Sequence, residues 1–83
     1  MKPERAIHLT EMQRAMDHSR IDREPVDIDC WDMKGNIVEY RQWRVVSNQW
    51  RQGTHRLQNP VNGQVRMVRD VMIFQFNGHP VYL

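Results

Sequence analysis

The sequence has a single cysteine, Cys30, among 83 residues. One thiol excludes an intramolecular disulfide framework, so a chain of this size must be stabilised in other ways. A fold of this length buries only about 60% of the surface that its unfolded chain exposes. We therefore expect one marginally stable domain in the cytoplasm, to which a second copy or another partner would add stability.

Long apolar runs are also missing. The longest one extends from Val71 to Phe74, whereas a membrane-spanning helix needs roughly 20 apolar residues. The first residues, Met1 to Arg5, are not followed by the apolar stretch of a secretory signal. The sequence therefore predicts neither a leader peptide nor a membrane partner.

Motifs for catalysis, phosphate binding and metal binding are absent as well. Ser19 and Ser47 have no nucleophile-elbow context, and no glycine-rich phosphate loop occurs. The four histidines lack zinc-ligand spacing. Cys30 falls on the apolar side of a predicted strand, which favours a core residue over a reactive thiolate. We expect no enzyme, and hence no catalytic residues, no metal and no cofactor.

Asp27, Asp29 and Asp32 form the one acidic cluster that could be interpreted as a metal site. Clustered carboxylates can hold Mg²⁺. An alternating strand, however, also places charged side chains on its outward positions, where they can meet arginines from elsewhere in the chain. We favour structural roles for these three carboxylates.

Residues 1–24 form the predicted helical segment. Thr10 and Gln13 fit a capping box, which predicts a helix over about 11–19. Ile7 and Leu9 would lead into it as extended chain. Residues at helical spacing on one face of this helix are Met12, Ala15 and Met16.

The region 25–83 has the two-residue period of β-strands. Pro25 separates it from the helix, because proline cannot donate a backbone hydrogen bond and keeps the preceding residue extended. Val26, Ile28 and Cys30 then alternate with Asp27, Asp29 and Trp31, which is typical of a half-buried strand. The predicted strands cover about residues 26–31, 37–47, 50–57, 64–76 and 79–83, the third one interrupted by a possible bulge at Gly53.

Asparagine–glycine pairs mark two of the expected hairpins. Asn62–Gly63 and Asn77–Gly78 are dipeptides favoured in type I′ turns. Apolar residues on both faces of residues 70–76 predict a central strand. Pro80 restricts the final strand to an edge of the sheet.

These features predict an α+β fold within a single domain, 1–83. A short N-terminal helix would pack on a small antiparallel β-barrel or strongly curved sheet of about five strands, resembling SH3-like architectures. Closure is expected because it removes exposed strand edges from so small a sheet.

Charge is unevenly divided along the chain. Residues 1–39 hold nine acidic and six basic side chains, whereas residues 40–83 hold six arginines and one acid, Asp70. Such asymmetry can indicate an anionic partner. Alternatively, the fold interleaves the two halves, so that each acid lies beside an arginine.

The acid-free stretch from Tyr40 to Arg69 combines arginine with aromatic residues. Guanidinium groups bind phosphate in bidentate fashion, and aromatic rings stack on unpaired bases. Tyr40 and Trp43 are three positions apart, so one of them faces the core unless a bulge intervenes. The candidate nucleic-acid-binding residues are Arg41, Arg44, Arg51, Arg56, Arg66, Arg69, Trp43 and Trp50.

A resemblance covers roughly residues 24–83. The segment from Gln64 to Tyr82 is a basic-aliphatic strand, then Phe-Asn-Gly, then valine with an aromatic residue. It resembles the ends of small uncharacterised proteins of prophages and mobile elements, and Glu24 to Ile28 is similar to their strand entry. The resemblance implies an accessory role in such an element and carries over no functional residues.

Two functions are therefore open. The first is a small non-enzymatic interaction or assembly module that associates with itself or with another protein. The alternative is a nucleic-acid-binding module that uses the arginine and aromatic residues of the second half.

Overall fold

The structure is a computed structural model that describes residues 5–49 and 51–83. Within these residues the elements in chain order are β1 (Ile7–His8), α1 (Leu9–Asp22), β2 (Pro25–Trp31), β3 (Ile37–Gln49), β4 (Thr54–Gln58), β5 (Val65–Arg69), the 3-10 helix η1 (Asp70–Met72), β6 (Ile73–Phe76) and β7 (His79–Tyr82). The strands form one sheet in the order β1-β7-β6-β2-β3-β4-β5. The β1–β7 pair is parallel and the others are antiparallel. The α+β class is confirmed.

The sheet curves strongly without closing. Only the three residues of η1 connect β5 to β6, although β2, β3 and β4 lie between these strands in the sheet. No ladder joins β5 to β6 in the described part of the chain. The strand count differs from about five because the lead-in segment pairs as β1 and because η1 divides residues 64–76 in two.

Helix α1 is longer than predicted. His8 is its N-cap, with Nδ1 accepting a hydrogen bond from the Thr10 amide at 3.1 Å. Thr10 therefore lies inside the helix, and the predicted capping box is not the start. The helix ends at Arg23, whose left-handed conformation (φ 60°) stops it two residues before Pro25.

The core lies between α1 and the inner face of the sheet. Met12 and Met16 are completely buried, and Ala15 packs beside them, as their spacing predicts. The alternation in β2 is also confirmed. Buried residues that the strands contribute are Val26, Ile28, Cys30, Tyr40, Val45, Leu57, Val68, Ile73 and Phe76.

A bulge in β3 brings both Tyr40 and Trp43 to the inner face. Tyr40 pairs with Ile28 and Trp43 with Val26, so one residue of β2 is opposite two of β3. Gln42 supplies the extra residue in a left-handed conformation, φ 59°. The rings of Tyr40 and Trp43 meet edge to face, with centroids 4.8 Å apart.

The two asparagine–glycine pairs behave differently. Asn77 and Gly78 both have positive φ, 48° and 81°, as a type I′ turn requires. Gly63 also has positive φ, but Asn62 does not, so the predicted I′ turn there is wrong. The β4–β5 connection is instead a six-residue loop, residues 59–64, closed by the Asn59 amide donating to the Gln64 carbonyl at 2.8 Å.

Other strand predictions need correction. The third predicted strand begins only at Thr54, because Gly53 (φ 65°) lies in the turn before it rather than in a bulge. Residues 70–72 form η1, so the central strand begins at Ile73. The strand containing Pro80 is not an edge: β1 pairs with it at Val81, beyond the proline, so that ladder needs no donor from Pro80.

Candidate functional site

Three candidate arginines share the outer face of the sheet. Arg44 of β3, Arg56 of β4 and Arg69 of β5 lie on neighbouring strands and are exposed. In the register Arg44 is opposite Gln58, and Arg56 is opposite Met67. We call these three residues the arginine face.

The remaining arginines are distributed differently. Arg51 is exposed in the turn before β4, and Arg66 is exposed on β5 opposite the inward Leu57. Within residues 5–49 and 51–83, no carboxylate lies at ion-pairing distance from the arginine face, Arg51 or Arg66. No described carboxylate of the acidic half therefore forms an ion pair with these arginines.

Arg41 belongs with the acids instead. Its Nη1 donates to Asp29 Oδ1 at 2.6 Å, and Nη2 lies 3.7 Å from Glu39 Oε2. The hydrogen bond to Asp29 raises the pKa of the guanidinium above its usual value. Acids of the first half therefore pair with an arginine of the second half at Arg41. Among the described residues, no such pair involves the arginine face.

The candidate tryptophans do not extend the arginine face in the described structure. Trp43 is half-buried on the inner face, on the opposite side of β3 from Arg44. Trp50 lies outside the described residues. A base-stacking role for either ring stays a prediction.

The acidic cluster serves local structure. Asp27 Oδ1 accepts from the Gln42 amide at 2.8 Å and holds the β3 bulge. Asp32 Oδ1 accepts from the Lys34 and Asn36 amides, both at 2.8 Å, in the β2–β3 turn. These donors, Asn36 foremost, lower the Asp32 pKa. The described residues contain no group of three or more histidine, cysteine or acidic side chains that could hold a metal ion.

A buried polar network joins α1 to the far end of the sheet. His55 Nδ1 lies 2.6 Å from Asp70 Oδ1, and Gln13 Nε2 donates to Asp70 Oδ2 at 2.8 Å. Asp17 Oδ1 lies 3.5 Å from His55 Nε2 and accepts from Asn48 Nδ2 at 2.8 Å. His55 and Asp70 are each 1% exposed, and the pair connects β4 to η1 in the interior. Asp70, the lone acid of the second half, was the sequence signal for it.

The open seam of the sheet contains an apolar cleft of about 330 Å³. Its floor consists of Cys30, Val38, Tyr40 and Val68. Large apolar side chains surround the mouth, and they are between 38% and 86% exposed: Trp31, Met33, Met67 and Met72. We call this the seam cleft.

One wall of the seam cleft is the edge of β5. Met67, Val68 and Arg69 all line it. Because successive residues of a strand point to opposite faces, three in a row reach one cleft only along the strand edge. In the described chain β5 pairs with β4 alone, so this edge is unpaired.

The opposite wall is the end of β2. The β2–β6 ladder ends at the Cys30–Ile73 pair, which leaves Trp31 beyond it. The seam cleft therefore lies between the end of β2 and the edge of β5, two segments that do not pair with each other in the described chain.

The floor of the seam cleft is uncharged at neutral pH. Burial, assisted by Asp29 and Asp32, raises the pKa of the Cys30 thiol to about 11. Burial also raises the pKa of Tyr40. Neither group is an activated nucleophile, and the cleft suits apolar contact better than bond-breaking chemistry.

The seam cleft is the candidate site that the sequence did not predict. Residues 30–33 and 67–72 meet only through the curl of the sheet. The one sequence feature that could have indicated the cleft is the methionine content. Three of the six methionines, Met33, Met67 and Met72, line the cleft.

Comparison with known proteins gives no match to any family model, curated protein or solved structure. None of the helices in the described residues is both long and apolar enough to cross a membrane.

Proposed function

We propose that the protein is a small non-enzymatic interaction module that binds a protein partner in the seam cleft. The observation that carries this proposal is the group of exposed apolar side chains around an open, uncharged floor. Contiguous exposed apolar surface is typical of interaction sites, and methionine adapts its shape to a bound partner.

The fold supports the same interpretation. We interpret the curled sheet, with η1 before its last hairpin, as an incompletely closed barrel of the SH3-like kind. Small domains of that kind bind extended peptides in grooves lined by aromatic side chains. This support is an analogy between folds. An accessory role in a prophage or mobile element, carried out in the cytoplasm, is part of the same proposal.

The test uses peptides selected from a random display library with the wild-type protein. Their affinities are then measured for Met72→Lys and for Val71→Lys. Met72 lines the seam cleft; Val71 is its neighbour, is 55% exposed and lies outside the cleft. We expect a loss of about tenfold or more for Met72→Lys and almost none for Val71→Lys. Equal affinities for both variants, or a selection that enriches no peptide, would contradict the proposal.

Self-association is the second form of this proposal, in which the partner in the seam cleft is another copy. Light scattering between low and high micromolar concentration tests it. A rise in mass that Met72→Lys abolishes supports self-association, and a constant monomer mass excludes it.

A second candidate function is binding of a nucleic-acid backbone by the arginine face. Its support is the set of three exposed arginines on adjacent strands without carboxylates at ion-pairing distance in the described chain. Each neutralised phosphate contributes about 0.7 to 0.9 to the slope of log affinity against log salt.

Fluorescence anisotropy with single- and double-stranded oligonucleotides tests this candidate. We expect Arg44→Gln with Arg56→Gln to reduce affinity and to lower the salt slope by about 1.5. The matched control, Arg14→Gln with Arg20→Gln on the exposed side of α1, should leave the slope unchanged. Absence of binding at low salt excludes the candidate.

A further inference from the structure

The seam cleft combines two features that a bound strand would use together. One is the apolar floor, and the other is the unpaired edge of β5 along its wall. Alternate residues of a strand direct their amide and carbonyl groups to opposite sides. About half of the backbone groups of β5 therefore point away from β4, toward the space beside the cleft.

We propose that the occupant of the seam cleft is an extended acidic segment of another protein, which pairs with β5 as an additional strand. Main-chain hydrogen bonds to β5 would supply affinity, and alternate side chains would enter the cleft. This inference rests on the proposed interaction function and specifies its partner.

Charge selects the acidic partner. Arg66 and Arg69 are exposed on β5 and have no ion-pair partner among the described side chains. Arg69 also lines the cleft, on its β5 wall, whereas the one carboxylate in the lining, Asp32, belongs to the β2 side. An incoming strand with carboxylates beside its apolar residues would therefore meet positive charge at this edge.

The same charges disfavour a second copy. Antiparallel pairing of β5 with another β5 would bring four arginines along one short ladder, and like charges on neighbouring strands are destabilising. The acidic strand β2 cannot be donated, because it already pairs with β3 and β6.

The surroundings also disfavour nucleic acid in this cleft. The floor offers apolar side chains and uncharged groups rather than phosphate ligands. Arg66 and Arg69 are three positions apart on β5 and project from opposite faces of the strand, so they flank an edge instead of forming one phosphate site.

The experiment uses the full protein and a capped peptide of about seven residues, a usual strand length, in which valine and glutamate alternate. A control peptide has lysine in place of glutamate. Two further versions of the acidic peptide carry N-methyl groups, one on all valines and the other on all glutamates. Affinity is measured by calorimetry, and hydrogen exchange is followed at the β5 amides.

We expect the acidic peptide to bind at least about tenfold more tightly than the lysine peptide. One N-methyl version should bind normally and the other should not, because only one edge of the peptide faces β5. The outward β5 amides should become protected from exchange. Arg66→Glu with Arg69→Glu should weaken binding about tenfold or more, and Arg14→Glu with Arg20→Glu should not.

Other outcomes overturn the inference. Equal binding of the lysine peptide, no detectable binding of the acidic one, or tolerance of both N-methyl versions would do so. An oligonucleotide that protects the same amides more strongly would assign the edge to nucleic acid. Protection that rises with protein concentration alone would assign it to a second copy. The proposed function is tested separately, by the effect of Met72→Lys on the affinity for the display-selected peptides. It can therefore hold even where the acidic strand is excluded.

Discussion

The two ends of the sheet are built in opposite ways. At one end, β1 has only two residues, and the chain turns at once into α1. Ile7 is buried there, and the rings of His8 and Tyr82 meet edge to face at 5.3 Å. At the other end, β5 presents a five-residue edge that no strand of the described chain pairs with, and it has exposed apolar and arginine side chains.

The difference shows two ways of protecting a strand edge. The β1 end is protected by being short, because two residues offer too few groups to recruit another strand. The β5 end is long enough to recruit one, and in the proposal above its arginines select an acidic strand. One end of the sheet is thus closed by the fold itself, and the other is the end that we propose for binding.

The largest effect is expected from Asp70→Ala, which breaks the network beside the β5 end. The substitution removes the carboxylate that the buried His55 and the half-buried Gln13 share, and breaking a buried pair costs about 3–5 kcal/mol. Urea denaturation measures the free energy of unfolding, with the exposed Asp22→Ala as control. A loss below about 1 kcal/mol would show that the network does not hold this end of the sheet.

A smaller effect is expected at the protected end from Ile7→Ala. Truncating this buried residue should cost about 2–4 kcal/mol and release β1, which leaves β7 as the new edge. Hydrogen exchange should then accelerate at β7 amides and not at β5. Val61→Ala, at a position 93% exposed, is the control. Unchanged exchange at β7 would contradict the assigned role of β1.

The two asparagine–glycine connections, one near each end of the sheet, should differ in how much their asparagines contribute to stability. Asn77 has positive φ and its Oδ1 accepts from the Asp27 amide at 2.9 Å, so Asn77→Ala should cost about 1–2 kcal/mol. Asn62→Ala in the β4–β5 loop loses only the bond from the Gln64 amide, for about 0.5 kcal/mol. Thermal unfolding of both variants tests this order, and equal costs would contradict it.

An effect that is absent at neutral pH concerns the floor of the seam cleft, and it develops only at alkaline pH. The folded thiol of Cys30 ionises only near pH 11, whereas the unfolded thiol ionises near its ordinary value of 9.0. The folded state thus retains a proton across that window, and stability decreases as pH rises through it. Cys30→Ala should flatten the decrease between about pH 9 and 11. Parallel stability profiles for the variant and the wild type would show that the thiol is not buried in this way.

Local patterns were sufficient for much of the fold. Met12 and Met16 were placed correctly because helical spacing sorts residues by face, and Pro25 correctly separated the helix from the strands. The start of α1 was not predicted, because its N-cap is His8 and histidine is not among the residues usually preferred at that position.

Long-range pairing decided what local patterns could not. Tyr40 and Trp43 share a face only because Asp27 stabilises a bulge from the neighbouring strand. Charge segregation along the chain could not show which arginines share a face, because that depends on the register that brings Arg44, Arg56 and Arg69 together. The seam cleft depends on how far the sheet curls, and no stretch of sequence shorter than the whole domain encodes that.

The bulge at Arg41 and Gln42 determines where the length of β3 can change in related chains. Deleting Gln42 alone would remove the extra residue and leave Tyr40 and Trp43 inward in regular alternation, with Val45 still facing the core and Arg44 still outside. Deleting one residue between Ile37 and Tyr40, where the pairing is regular, would instead exchange the two sides of the strand. Single-residue deletions tolerated in this strand during evolution should therefore fall at a bulge.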